Sequence, residues 1–140
     1  MTRSRFHLAI PVDDLGRARR FYNEALGLTE GRSDSTWVDF DMFEHQLVIH
    51  EVARTQAAIA GANPVDGDHV PVPHFGVILT PEHFESLASR LRDYGVEFVI
   101  EPHVRFAGEA GEQHTMFFLD PSGNALEFKA FADDSQVFAT

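Results

Sequence analysis

Two stretches of the chain pass from a two-residue to a three-to-four-residue spacing of apolar positions, in the same order. The first is FHLAIPVDDLGRARRFYNEALGL, residues 6–28. Phe6, Leu8 and Ile10 share one face of a predicted strand and His7 and Ala9 the other, as the period of two requires. Asp13 or Asp14 then caps a helix whose apolar positions are Leu15, Ala18, Phe21 or Tyr22, and Ala25 or Leu26. Gly27 stops it as a C-terminal glycine does.

The second is HFGVILTPEHFESLASRLRDYGV, residues 74–96. His74, Gly76 and Ile78 share one strand face. Thr80 and Pro81 supply the cap and first turn of a helix with Phe84, Leu87, Leu91 and Tyr94 as its stripe, ended by Gly95. From histidine to glycine is 20 residues in the first copy and 21 in the second. A small residue follows two positions after each histidine, Ala9 and Gly76, which leaves room beside the ring. The pattern is that of an internal duplication.

Strand-like runs follow each helix. STWVDFDMF and HQLVIHEV, separated by Glu44, predict a hairpin in the first half. VEFVIEPHV, HTMFFL and NALEFKAF follow in the second, the last two joined by the turn DPSG. Residues 53–73, rich in Gly, Pro and Asp, read as a linker. RFAGEAGEQ reads as a glycine-bearing loop and residues 132–140 as a tail.

Composition narrows what such halves can do. At 140 residues the chain is one compact domain, or two small modules sharing a core, and 44% apolar residues suffice for that core. The opening MTRSRFHLAI has no long apolar run and nothing approaches a membrane span, so a soluble, cytoplasmic protein is expected. A formal net charge of −11 argues against nucleic acid as partner. The absence of cysteine excludes disulfides, thiolate–zinc sites and a cysteine nucleophile. Any metal must therefore be held by His, Asp, Glu or Gln.

Glu127, between Leu126 and Phe128, is a charge on an otherwise apolar strand, costly to bury without a positive partner. His7 and His74 occupy matched positions in the two copies. Two histidines and a carboxylate form a facial set with open positions, suited to Fe(II) and also to Mn(II), Ni(II) or Zn(II). The bland alternatives are structural histidines and a Glu127 solvated beside Lys129. His50 shares a strand face with Gln46 and Val48 and could be a fourth ligand, a base that moves a substrate proton, or a packing residue. Arg105 is a candidate clamp for a substrate anion, weighed against an ordinary surface arginine. His103 and His114 are candidate supporting donors, while Tyr22 and Trp37 read as packing. The thirteen phenylalanines could line an apolar cavity or simply fill the core.

On FHLAIPVDDLGRARRFYNEALGL, HFGVIL and FFLDPSGNALEF the chain resembles the vicinal oxygen chelate superfamily, which includes glyoxalase I, bleomycin-resistance proteins and extradiol dioxygenases. The resemblance covers residues 5 to about 131. It implies an α+β fold of two βαβββ modules, 5–52 and 74–131, whose strands curve into a half-open mixed β-barrel around one metal. It places His7, His74 and Glu127 at ligand positions. WVDFDMFEHQLVIH, NPVDG, VPVPHFGV, EPHVRFAGE and EQHTMFFLDPSGNALEFKAFAD narrow the likeness to a subgroup described as predicted extradiol-type dioxygenases. That implies an Fe(II)-dependent oxygenase of a small catechol-like substrate, with His50 handling a proton and Arg105 anchoring a carboxylate.

Two departures bear on this. Glyoxalase I usually carries a glutamate where His50 aligns, and extradiol enzymes commonly carry a tyrosine on the strand that here reads HTMFFL. A metal-dependent isomerase or lyase, and a protein that only binds a small molecule, are the rival expectations. Exposed sheet edges predict a homodimer.

Overall fold

The computed structural model describes residues 3–53 and 61–140. The chain divides into two compact units, Met1–Ala58 with Asp120–Asn124, and Ile59–Leu119 with Ala125–Thr140. The fold is α+β, and each unit holds one βαβββ module.

In the first, β1 (His7–Val12) leads into α1 (Leu15–Arg20), and β2 (Thr29–Ser33), β3 (Trp37–Met42) and β4 (His45–Glu51) follow. The sheet order is β1-β4-β3-β2, with β1 parallel to β4 and the other pairs antiparallel. Asp14 is the cap: its side chain accepts from the Arg17 amide. Beyond Arg20 the helix widens into a π-helical stretch, Phe21–Ala25, before Gly27 takes a positive φ. Ile10, Val12, Val38, Phe40, Leu47 and Ile49 share one sheet face and are buried. The Tyr22 ring meets Phe40 there at 5.6 Å between centroids. His7 and Ala9 fall on the other face, as the alternation predicts.

The second module repeats that order. β7 (His74–Phe75), α2 (Pro81–Tyr94), β8 (Phe98–Arg105), β9 (Gln113–Leu119) and β10 (Ala125–Phe131) form a sheet ordered β7-β10-β9-β8. The first strand again pairs parallel with the last. Thr80 accepts from the His83 amide as N-cap, and Gly95 closes α2 in the left-handed conformation. Phe84, Leu87 and Leu91 are buried as the stripe requires, whereas Tyr94 is 48% exposed. It is the last residue of the helix, beside Gly95, and stays open to solvent.

Three strands escape the sequence pattern. β2 reads TEGRS, with no apolar residue to alternate, and it is held as an edge strand by pairing with β3. The stretch read as linker contains a hairpin, β5 (Gly61–Val65) with β6 (Asp68–Val72). Asp66 and Gly67 both have positive φ, the geometry of a two-residue hairpin turn, and the Asp-Gly pair was its signal. The rest of that stretch, residues 54–60, lies outside the described residues. The tail carries a short 3₁₀ turn, Asp134–Gln136.

The turn DPSGN belongs with the first unit. Asp120 accepts from the Ser122 and Asn124 amides through one oxygen, and from the Tyr22 hydroxyl and the Asn124 side chain through the other. Asn124 also donates to the Pro11 carbonyl, and Ser122 donates to Asp13. The polar residues of this stretch thus build a turn rather than a catalytic group. Burial pushes the Asp120 carboxyl up, and these hydrogen bonds only partly offset it.

Candidate metal and substrate site

Matched registers decide which residues of the two modules correspond. His7 pairs with Gln46 across β1 and β4, and His74 with Ala125 across β7 and β10. Two residues further, Ala9 faces Val48, and Gly76 lies against Glu127. The position in the first module that answers to Glu127 is therefore Val48, not His50. His50 answers to Lys129, and the two copies together offer one carboxylate at this level.

In the second module the site side chains share one face of the sheet. Glu127 lies opposite Phe117 and Lys129 opposite Thr115, while His103 and Arg105 of β8 lie opposite Thr115 and Gln113. Glu127 is 5% exposed. Its Oε1 sits 3.2 Å from His74 Nε2 and 3.9 Å from Lys129 Nζ. Its Oε2 accepts a short hydrogen bond from Thr115 and lies 3.4 Å from Arg105 Nη1. Burial alone would raise this carboxyl's pKa, but His74 and Thr115, with the Lys129 charge, outweigh it and hold it below its usual range. His74 is raised in turn, chiefly by its hydrogen bond to Glu127.

Arg105 is not a surface arginine. It is 3% exposed, joins Glu127 to Asp68 (Nη2 to Oδ2, 3.0 Å), and lies over the Phe117 ring. Its Nε is buried without a hydrogen-bond partner among the described residues. His103 extends this run of polar contacts, its Nε2 3.0 Å from Asp68. His114 does not join it: it packs against the Phe84 ring of α2 on the other face.

In the first module His7 Nδ1 lies 2.7 Å from Gln46 Oε1. His50 stands on the same strand face as Gln46, opposite Pro11 and Trp37. It lies four positions along the strand from Gln46, about 13 Å at ~3.3 Å per residue. An open recess of about 510 Å³ in this module is lined by Thr29, Asp39, Phe40, Asp41, His45 and Gln46 among others.

The phenylalanines are mostly core. Phe40, Phe84, Phe117, Phe118 and Phe128 are fully buried, and the rings of Phe118 and Phe128 stack. With Phe21 and Phe131, seven of the thirteen are buried, while Phe6 and Phe138 are exposed.

The donor chemistry suits a divalent cation. A carbonyl can only accept, so the contact of His74 Nδ1 with the Pro71 carbonyl (2.5 Å) puts the proton on Nδ1 and leaves Nε2 facing Glu127. A neutral Nε2 and a carboxylate both present lone pairs. Only a proton or another cation between them makes the contact favourable. Within either unit, among the described residues, no three His, Asp or Glu side chains form a cage. His7 lies in the first unit, and His74 and Glu127 in the second.

Comparison with known proteins agrees with the modules. A crystal structure described as a glyoxalase/bleomycin resistance protein/dioxygenase from Alicyclobacillus acidocaldarius is 34% identical, with a TM-score of 0.79 and 96% of each chain covered. Glutathione transferase FosA of Serratia marcescens is 27% identical over 128 residues, 91% of this chain and 80% of that protein. The fosfomycin resistance protein FosX of Listeria monocytogenes shares the fold at 18% identity, with a TM-score of 0.68 and 97% and 98% of the two chains covered. The family model for the Glyoxalase/Bleomycin resistance protein/Dioxygenase superfamily matches residues 5–128, nearly the whole of both modules, and the chain belongs to that superfamily.

Proposed function

We propose that the protein is a divalent-metal-dependent enzyme acting on a small, oxygen-bearing polar substrate, with His7, His74 and Glu127 as the residues that hold the metal. The observation that carries the reading is the His74–Glu127 pair, in which an imidazole Nε2 and a buried carboxylate oxygen converge at 3.2 Å. A metal bound by this set would act as a Lewis acid on a substrate oxygen.

The chain's own residues divide the remaining work. Thr115 and Arg105 fix the far oxygen of Glu127, which leaves Oε1 turned toward the ligand position. Arg105, whose guanidinium is held between Glu127 and Asp68, is the candidate anchor for a substrate carboxylate. Membership in a superfamily with a glutathione transferase relative, and the shared fold of a fosfomycin resistance protein, support addition, transfer or isomerisation at an oxygenated carbon.

An Fe(II)-dependent extradiol oxygenase is the second reading. The two-histidine, one-carboxylate set favours it. In either reading His50 is a base only for a substrate long enough to reach it. The edge strands β2 and β8 favour a homodimer that covers them.

Titration with Mn(II), Co(II) or Fe(II) tests the metal set. Binding should be lost or weakened at least tenfold in His7→Ala, His74→Ala and Glu127→Gln. Equal binding by all four proteins would overturn it. Turnover of fosfomycin with glutathione under anaerobic conditions, against oxygen consumption with catechols, separates the two reactions.

A further inference from the structure

We infer that Asp39 is a positioning residue that sets the ring tautomer of His7 through Gln46. This deepens the reading of His7 as a metal ligand and rests on it only for its functional consequence.

The three side chains lie on adjacent strands of the first module. Gln46 of β4 is register-paired with His7 of β1 and with Asp41 of β3, and Asp39 stands two residues along β3 on the same face. Gln46 Oε1 lies 2.7 Å from His7 Nδ1, and Gln46 Nε2 donates to Asp39 Oδ2 at 3.3 Å.

A glutamine amide can offer either end to a histidine, because it carries an acceptor and a donor. A carboxylate can only accept. Asp39, 9% exposed, therefore holds the NH₂ end of Gln46 toward itself and turns the carbonyl end toward His7. A carbonyl oxygen at Nδ1 requires the proton there. The lone pair is then on Nε2, the atom a metal would use. With the amide reversed, two acceptors would face each other at Asp39, and His7 would carry its proton on Nε2.

His74 reaches the same tautomer by different means, through the backbone carbonyl of Pro71. Each copy thus has its own device for exposing Nε2. His7, on the open face of its sheet, depends on a side-chain relay that Asp39 orients.

Long-range ¹H–¹⁵N NMR of the metal-free protein, at a pH where both rings are neutral, reads the tautomers directly. His7 should be an Nδ1–H tautomer in the wild type. In Asp39→Asn, whose amide can also donate, and in Gln46→Leu, which removes the relay, its signals should move toward the Nε2–H form. His74 should stay unchanged in all three. Mn(II) affinity should fall about 10- to 100-fold in both variants, the range for lost supporting contacts to a ligand. If Asp39→Asn does not fold, Gln46→Leu carries the test. A His7 that is Nε2–H in the wild type, or unchanged in the folded variants, overturns the inference. A tautomer shift with no change in affinity upholds the relay and removes His7 from the metal set.

Discussion

Gly76 lies with its backbone against the carbonyl of Glu127, so close that a Cβ built on it would overlap the carbonyl oxygen and carbon. The glycine is needed for this approach and not for a left-handed conformation. Gly76→Ala should push β7 away from β10 where His74 and Glu127 meet. Overpacking of this kind costs about 1–3 kcal/mol, read as a lower urea midpoint with an unchanged slope. Metal affinity should fall with it, since the displaced atoms belong to the carboxylate-bearing residue. Ala9→Gly, at the matched position of the first copy, should leave affinity near wild type.

Much of this pair was legible in the sequence. The matched histidines, the small residue two positions later and the charge inside NALEFKAF follow from the spacing alone. Register is what the sequence withholds. His50 reads as a fourth ligand, a base or a packing residue, and only the parallel pairing of His7 with Gln46 shows that Val48, not His50, is the counterpart of Glu127. The partners of Glu127 are hidden for a related reason. Thr115 and Arg105 come from two other strands, and a lone arginine in EPHVRFAGE carries no sign that it will be buried between Glu127 and Asp68. β2 was invisible because an edge strand of polar residues has no alternation to show.

Arg105 gives the largest expected effect on stability. Its guanidinium bridges Glu127, nearly buried, and Asp68, with side-chain exposures of 4% and 29%. Arg105→Leu keeps the packing over Phe117 but leaves the Glu127 carboxylate short of a cation. Breaking a buried pair on one side costs about 3–5 kcal/mol. Arg105→Lys should recover only part of that, because an ammonium cannot reach both acids with the planar fork of the guanidinium. Chemical denaturation of the two variants at one pH orders them: wild type, Lys, then Leu. Equal midpoints for Leu and wild type would mean that the bridge contributes nothing.

Tyr22 and Asp120 provide a test of the DPSGN turn. The hydroxyl donates to Asp120 Oδ2 at 2.8 Å from a fully buried ring. Tyr22→Phe keeps the ring contacts and removes one of the four hydrogen bonds that hold the carboxylate. Leaving a buried acceptor short costs about 1–3 kcal/mol, and the Asp120 carboxyl should rise further. Its pKa is already raised, so folding is favoured below its unfolded value and that gain is lost as pH rises through the folded one. The difference in midpoint between Tyr22→Phe and wild type should therefore be larger at pH 7 than at pH 3.

A second pH dependence runs the other way. Arg19 donates to both oxygens of Glu30 at 2.7 and 2.6 Å, and Asn23 adds a third hydrogen bond, which fastens β2 to the helix. The Arg19 hydrogen bonds lower the Glu30 carboxyl from about 4.5 to about 2. A lowered acid stabilises the fold above its unfolded pKa, and that contribution disappears as pH falls from about 4.5 through about 2. Solvent at the partly exposed pair reduces its size. Glu30→Gln should lower the urea midpoint modestly at pH 7 and leave it at the wild-type value near pH 2. Amide protection in residues 29–33, measured against the intrinsic exchange rate at each pH, should fall in the same interval, because the edge strand has no apolar face to hold it once the carboxylate is protonated. A gap between the two proteins that persists unchanged at pH 2 would show that packing, not the charge, fastens this strand.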